Sequence, residues 1–188
     1  MKKILVLLLV IASATTIFAA STSGKKSSTG YWDEEDVITV CNKIIDDCVH
    51  SPRVASFEEK NGRPPVVVIG SIKNESSERI DTTIVEKKLQ TEILKSGVLE
   101  FVAEAGERGA IQEELIFQDQ YASLDSAKAI DNAEAADFLM SGYVKTLVDR
   151  VSKKPTRTYY VFVSLTNIET QRILWQTEEV ITKEFKIK

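Results

Sequence analysis

Seven consecutive residues, Val66-Val67-Val68-Ile69-Gly70-Ser71-Ile72, are almost wholly apolar and mostly β-branched. Side chains branched at Cβ are stiff and favour extended backbone. A continuous apolar run, as opposed to an alternating one, is what a strand covered on both faces shows. The run therefore predicts an interior strand of a sheet with helices packed on it, and the rest of the chain must supply those neighbours. It leads into a polar segment ending at Asp81-Thr82-Thr83. Ligands in open α/β sheets often sit in such a place, between a strand's carboxyl end and a helix's amino end. The segment from Ser71 to Asp81 holds no histidine, cysteine or glycine, and its Asp and Ser residues are the types that cap helices. It reads as a helix entrance.

Helices are legible on both sides of this strand. In WDEEDVITVCNKIIDDC, an acidic first turn suits the helix dipole, and Val37, Val40, Cys41, Ile44 and Cys48 form one apolar stripe. Ser51-Pro52 interrupts the pattern, RVASFEEK predicts a short helical piece, and Asn61-Gly62-Arg63-Pro64-Pro65 closes it as a loop. Beyond the polar segment, Thr83 with Glu86 fits a capping box. Ile80, Ile84, Val85, Leu89 and Ile93 supply that helix's apolar face, and Gly97 ends it. Val98–Val102 predicts a strand. Arg108–Asp119 predicts a helix with Ile111, Leu115 and Ile116 inward, and Ser126–Asn132 another.

The last third changes period. Phe138–Val148, Thr158–Ile168 and Ile173–Ile181 are strand-like, the middle one alternating with Val161, Val163 and Leu165 on one face. Short connections make them an antiparallel meander. The predicted fold class is α/β, a mixed sheet of about five strands with packed helices.

The chain opens MKKILVLLLVIASATTIFAA, two lysines followed by an apolar run and small residues, the layout of a secretory signal peptide over residues 1–20. Residues 21–30, STSGKKSSTG, read as a short flexible linker, and residues 31–188 as a single domain. If the signal were not removed, Ile4–Ala20 would sit at the lower limit, about 17 residues, of a membrane span and would anchor the chain at the inner membrane. Residues 1–40 contain no cysteine, so the acyl-accepting cysteine of a lipoprotein is not there. The formal net charge of the whole chain is −4, and loss of Lys2 and Lys3 takes it to −6. An acidic surface of this kind argues against nucleic-acid binding.

Residues that could carry chemistry are sparse. The one histidine, His50, falls at a helix end without a motif, which reads as a surface histidine and not a triad member. Cys41 and Cys48, seven apart on a helix, would lie about 10 Å apart along its axis at about 1.5 Å per residue. A disulfide needs Cα atoms within about 7 Å, so both read as small core residues. Adjacent acids such as Glu34-Glu35, Asp46-Asp47, Glu113-Glu114 and Glu178-Glu179 could in principle supply a glycosidase pair, but neighbouring charges on exposed faces are ordinarily solvated surface. No phosphate-cradling glycine loop is present, and no cofactor or metal is expected.

Five stretches in order, "GYWDEEDV" (30–37), "PPVVVIGSIKNESSERIDT" (64–82), "FVAEAGERGAIQEELIFQDQYAS" (101–123), "AADFLMSGYVKT" (135–146) and "TYYVFVSLTNIETQRILWQTEE" (158–179), together resemble the penicillin-binding protein activator LpoB family. "ADFLMSG" and "IETQRILW" are shared with a wider group of envelope proteins similar to the amino-terminal domain of TolB and to the curli secretion protein CsgG. The resemblance implies a TolB amino-terminal-domain-like fold. It also implies a non-catalytic envelope protein that binds a bifunctional class A penicillin-binding protein and stimulates peptidoglycan synthesis. The alternative is a TolB- or CsgG-like periplasmic docking module for envelope assembly or secretion. The best-known members are outer-membrane lipoproteins on a long tether, whereas this chain shows neither the lipid-bearing cysteine nor a tether beyond residues 21–30; the expected location is the periplasm. The resemblance transfers no interface residue. On chemistry alone, aromatic and arginine side chains anchor interfaces and loops carry function, which nominates Arg108, Gln118, Tyr121, Arg157 and Tyr160.

Overall fold

The structure, a computed structural model, describes residues 30–103, 105–121, 135–151 and 154–186. The expected signal peptide, all of the linker but Gly30, and the helix expected over Ser126–Asn132 lie outside the described residues.

Helix α1 spans Glu34–Val49. It starts on a reciprocal capping box in which the Asp36 N–H donates to Asp33 at 3.2 Å and the Asp33 N–H donates to Asp36 at 2.9 Å. All five residues of the predicted stripe are buried. Helix α2, Pro52–Asn61, begins with Ser51 as cap and Pro52 in its first turn, and Gly62 closes it at φ +66°, the left-handed conformation that glycine adopts without penalty.

Helix α3, Thr82–Ser96, is capped by Asp81, whose carboxylate accepts the Thr83 N–H at 3.1 Å. This corrects the expected Thr83–Glu86 box. Glu86 faces strand β1 (Val66–Asn74), where it accepts the Ile72 N–H at 2.7 Å. The register of β1 against its neighbour shifts between Ile69 and Ile72, and a bulge of that kind takes residues out of the ladder. Glu86 satisfies a donor there that would otherwise be costly. On α3, Val85, Leu89 and Ile93 are buried, but Ile84 is exposed, so the apolar face is narrower than predicted.

The sheet has the order β2-β1-β3-β4-β5. Strand β2 is only Glu100–Phe101, shorter than the run Val98–Val102 suggested, and pairs parallel with the start of β1. Strand β3, Phe138–Asp149, is parallel to β1. It begins the predicted meander with β4, Thr156–Asn167, and β5, Ile173–Glu184. The parallel pairs require helical crossovers, supplied by α3 between β1 and β2 and by α4, Ala105–Tyr121, between β2 and β3.

One face of the sheet carries the core. Val67, Ile69, Ile72, Met140, Val144, Val161, Val163 and Leu165 meet Val40, Ile44, Leu89 and Ile93 of α1 and α3, with Val54 of α2 in the same cluster. Fully burying each such side chain is worth about 1.5–3 kcal/mol. Among the described residues no helix lies extensively against the opposite face. This corrects the expectation that β1 is covered on both sides: Val68 and Gly70 are half-buried and Ser71 exposed. Val68 pairs with Leu139 of β3, and a Cβ on Gly70 would come within 2.9 Å of the Leu139 side chain. Lateral packing along the sheet, not a second helical layer, accounts for the apolar run.

Candidate interaction surface

Strand alternation decides which residues reach the open face. On β4, Val161, Val163 and Leu165 point into the core, leaving Tyr160, Phe162 and Ser164 on the other side. The β3 register sets Phe162 opposite Tyr143, Tyr160 opposite Lys145 and Ser164 opposite Ser141. Tyr143 and Phe162 have ring centroids 4.8 Å apart at 32°, and Tyr160 stacks on Phe162 at 6.5 Å. The Lys145 ammonium lies 4.8 Å from the Tyr143 ring centroid and 3.2 Å from Glu75. Of these residues Tyr143, Phe162, Ser141, Ser164 and Glu75 line an open concavity of about 410 Å³, with Tyr160 and Lys145 outside it.

Helix α4 presents a second surface. Ile111, Ile116, Phe117 and Tyr121 are each at least half exposed, although the sequence predicted Ile111, Leu115 and Ile116 to be inward; Leu115 is half-buried. No other described element packs extensively on this helix, and Lys87 of α3 meets Glu107 at 3.7 Å. The Phe117 and Tyr121 rings, one turn apart, sit 4.8 Å from each other. Gln118 donates to Glu114 at 2.9 Å, and Arg108 is exposed. Exposed apolar side chains clustered on one element mark interaction sites more often than scattered ones do.

A third group is buried and holds the fold together. Arg157 contacts Glu78 at 2.5 Å, donates to the Gly30 carbonyl at 2.8 Å, and lies against the rings of Tyr31 and Phe185. The Tyr159 hydroxyl donates to the other Glu78 oxygen at 2.7 Å. Burial, reinforced by that carboxylate, raises the Tyr159 pKa. Nearby, Lys183 pairs with Asp33 at 2.8 Å and with Asp36, whose carboxyl burial pushes above its ordinary value. At the other end of the sheet, the bidentate Arg63 pair at 2.7 and 2.8 Å holds Asp137 below the usual carboxylate range.

The five nominated residues thus divide. Arg108, Gln118 and Tyr121 share α4, Tyr160 lies on the open sheet face, and Arg157 is buried beneath the other face, engaged in the fold and out of a partner's reach. Phe117, Tyr143 and Phe162 were missed. Phe117 carries the i,i+4 spacing to Tyr121, and Phe162 lies two residues from Tyr160, so the signal was present in each strand or helix. Tyr143 needed the β3–β4 register. His50 is an exposed helix cap whose Nδ1 lies 2.7 Å from the Asp46 carbonyl, and Cys41 and Cys48 are free, buried thiols pushed up to about 12 by burial. Among the described residues no cluster suited to a metal ion occurs and no helix is long and apolar enough to cross a membrane.

In class the protein is a mixed α/β domain with uncovered surfaces on its sheet and on one helix. The chain belongs to the peptidoglycan-synthase activator LpoB family, whose model matches residues 36–181. Membership assigns it a role in activating peptidoglycan synthesis and implies the cell envelope as its location. Among solved structures, the LpoB C-terminal domain from Salmonella enterica is 14% identical over 69% of this chain and 93% of that one, with a TM-score of 0.39. The corresponding Escherichia coli domain is 12% identical over 69% and 94%, with a TM-score of 0.36. Lipoprotein GNA1162 from Neisseria meningitidis is 14% identical over 64% and 84%, with a TM-score of 0.38. No curated protein matches the chain.

Proposed function

We propose that the protein, exported and freed of residues 1–20, binds a bifunctional class A penicillin-binding protein in the periplasm and raises its rate of glycan polymerisation and cross-linking. It contributes contacts and no reacting group. The observation that carries this reading beyond family membership is α4, whose Ile111, Ile116, Phe117 and Tyr121 stand in water. Helix side chains seated in a partner's groove are a recurrent recognition mode, and Phe117 and Tyr121, one turn apart, offer the aromatic anchors such contacts use. Arg108 and Gln118 flank them as polar contacts. Tyr160, on the sheet, belongs to a separate surface.

Activation of this kind needs the active conformation of the synthase to be bound more tightly than the inactive one, and tenfold stimulation by population shift requires about 1.4 kcal/mol of that difference. The test is capture of the organism's class A synthases by the full exported chain, followed by polymerisation and cross-linking assays with and without it. Capture with a rate increase is the expected result, with capture affinity weakened about thirtyfold or more by Phe117→Ala with Tyr121→Ala and the stimulation lost with it. Failure to capture any synthase would leave the TolB- or CsgG-like docking role in its place.

A further inference from the structure

We infer that the open face of the sheet is a second binding site, shaped for an uncharged stretch of glycan strand. The inference rests on the proposed function only in placing the protein where such strands are made.

The concavity is floored by the half-buried Tyr143–Phe162 pair and edged by the hydroxyls of Ser71, Ser141 and Ser164 and the amide of Gln176. A pyranose has the complementary build, with an apolar C–H face and a rim of hydroxyls. The aromatic floor takes the first. The Ser71 and Ser141 hydroxyls can each donate one hydrogen bond and accept two, Ser164, whose hydroxyl donates to the Ser141 carbonyl at 3.5 Å, can accept, and the glutamine amide does both, so the edge can satisfy sugar hydroxyls of either polarity.

Charge points the same way. The two charged lining residues, Lys73 and Glu75, cancel, and of the charges just outside the lining Lys145 is offset by Glu178, which lies opposite Phe162 on β5. On a chain of net charge −4 this is a locally balanced patch with no field to draw an ion. Protein-binding surfaces are enriched in aromatics, Arg and Met at their cores and depleted of Ser, Lys and Glu. This lining shares the aromatics, Tyr143 and Phe162, but has no Arg or Met and carries the depleted types Ser71, Ser141, Ser164, Lys73 and Glu75, a balance that favours a saccharide over a protein partner. Because the concavity is open, not enclosed, an extended polymer lying across the strands fits it better than a compact ligand. No α4 residue lines it, so glycan and synthase would occupy different surfaces.

The experiment uses the full exported chain with two probes: purified sacculi whose stem peptides have been removed enzymatically, scored by co-sedimentation at high salt to screen the lactyl carboxylates so freed, and tetra-N-acetylchitotetraose, which is uncharged, scored by backbone amide shifts. Saturable retention is expected, with shifts centred on Ser71–Lys73, Ser141–Tyr143 and Phe162–Ser164. Tyr143→Ala should weaken retention about tenfold. Ser164→Arg, which keeps both rings and fills the concavity, should do the same, and Phe117→Ala should leave retention unchanged. Retention insensitive to both sheet variants, shifts that map elsewhere, or binding that vanishes with the stem peptides would overturn the assignment. So would sheet-face variants, Tyr143→Ala or Ser164→Arg, that abolish synthase capture while sacculus retention persists. Synthase stimulation is assayed without sacculi. Stimulation lacking glycan retention defeats this inference alone, and retention lacking stimulation defeats the synthase reading alone.

Discussion

At Gly142 a Cβ would overlap the Phe162 carbonyl oxygen on the next strand and press on the Ile72 side chain at 3.2 Å. Backbone cannot yield as a flexible side chain does, so Gly142→Ala should cost about 3 kcal/mol, seen as a lowered urea midpoint with an unchanged slope. Arg157 makes a different point. Its guanidinium is the charge facing the largely buried side chain of Glu78, and removing one partner of such a pair leaves the other uncompensated. Arg157→Met should therefore cost about 3–5 kcal/mol, and adding Glu78→Gln in the same chain should restore part of it. Equality of the single and double variants in chemical denaturation would contradict this account. Residue type nominated Arg157 as an interface anchor. Strand phase pointed the other way, since Arg157 is in step with Tyr159, Val161, Val163 and Leu165, all buried, and the phase was the better guide.

Among the elements, α1 was fully legible because its stripe, its cap and its burial agree. For α4 the periodicity said that a face seeks burial without saying what buries it, and the helix stands largely uncovered. The same gap explains β1: an apolar run specifies dry neighbours, and Leu139 beside Val68 meets that need from within the sheet. The open aromatic face required knowledge of which strands pair and in what register, a long-range property that local pattern does not contain. For α4 the consequence is a separation of stability from binding. Ile116→Ser with Phe117→Ser should leave the unfolding free energy within about 0.5 kcal/mol of the parent, as exposed substitutions do, while synthase capture falls. A loss of several kcal/mol in urea denaturation would mean that these side chains serve the fold.

Among the described residues two carboxylates carry acid sensitivity, Asp137 at one end of the sheet and Glu92 on α3, which Lys88 and Lys95 hold below its ordinary value. Asp137 is held below its ordinary pKa by Arg63 and by the Val66 N–H. Its folded value thus lies below its unfolded one, so its stabilising contribution is complete above about pH 5 and is lost as pH falls through the folded value. Asp36, raised by burial, acts with opposite sign, gaining relative stability as it protonates. Asp137→Asn should accordingly narrow the stability difference between pH 7 and pH 3, measured by urea denaturation at both. The two cysteines give a second global readout: buried thiols pushed up to about 12 should resist alkylation until the domain opens, so labelling should track unfolding. Finally, the clamp on Gly30 brings the first described residue against the last strand's exit. A Cβ there would come within 2.5 Å of that of Phe185. The two ends of the domain therefore leave side by side, as in a ring with a single clasp. Such a unit can be inserted into another chain at one point, or rejoined there and opened at the exposed Glu169–Arg172 turn, with its strand order kept.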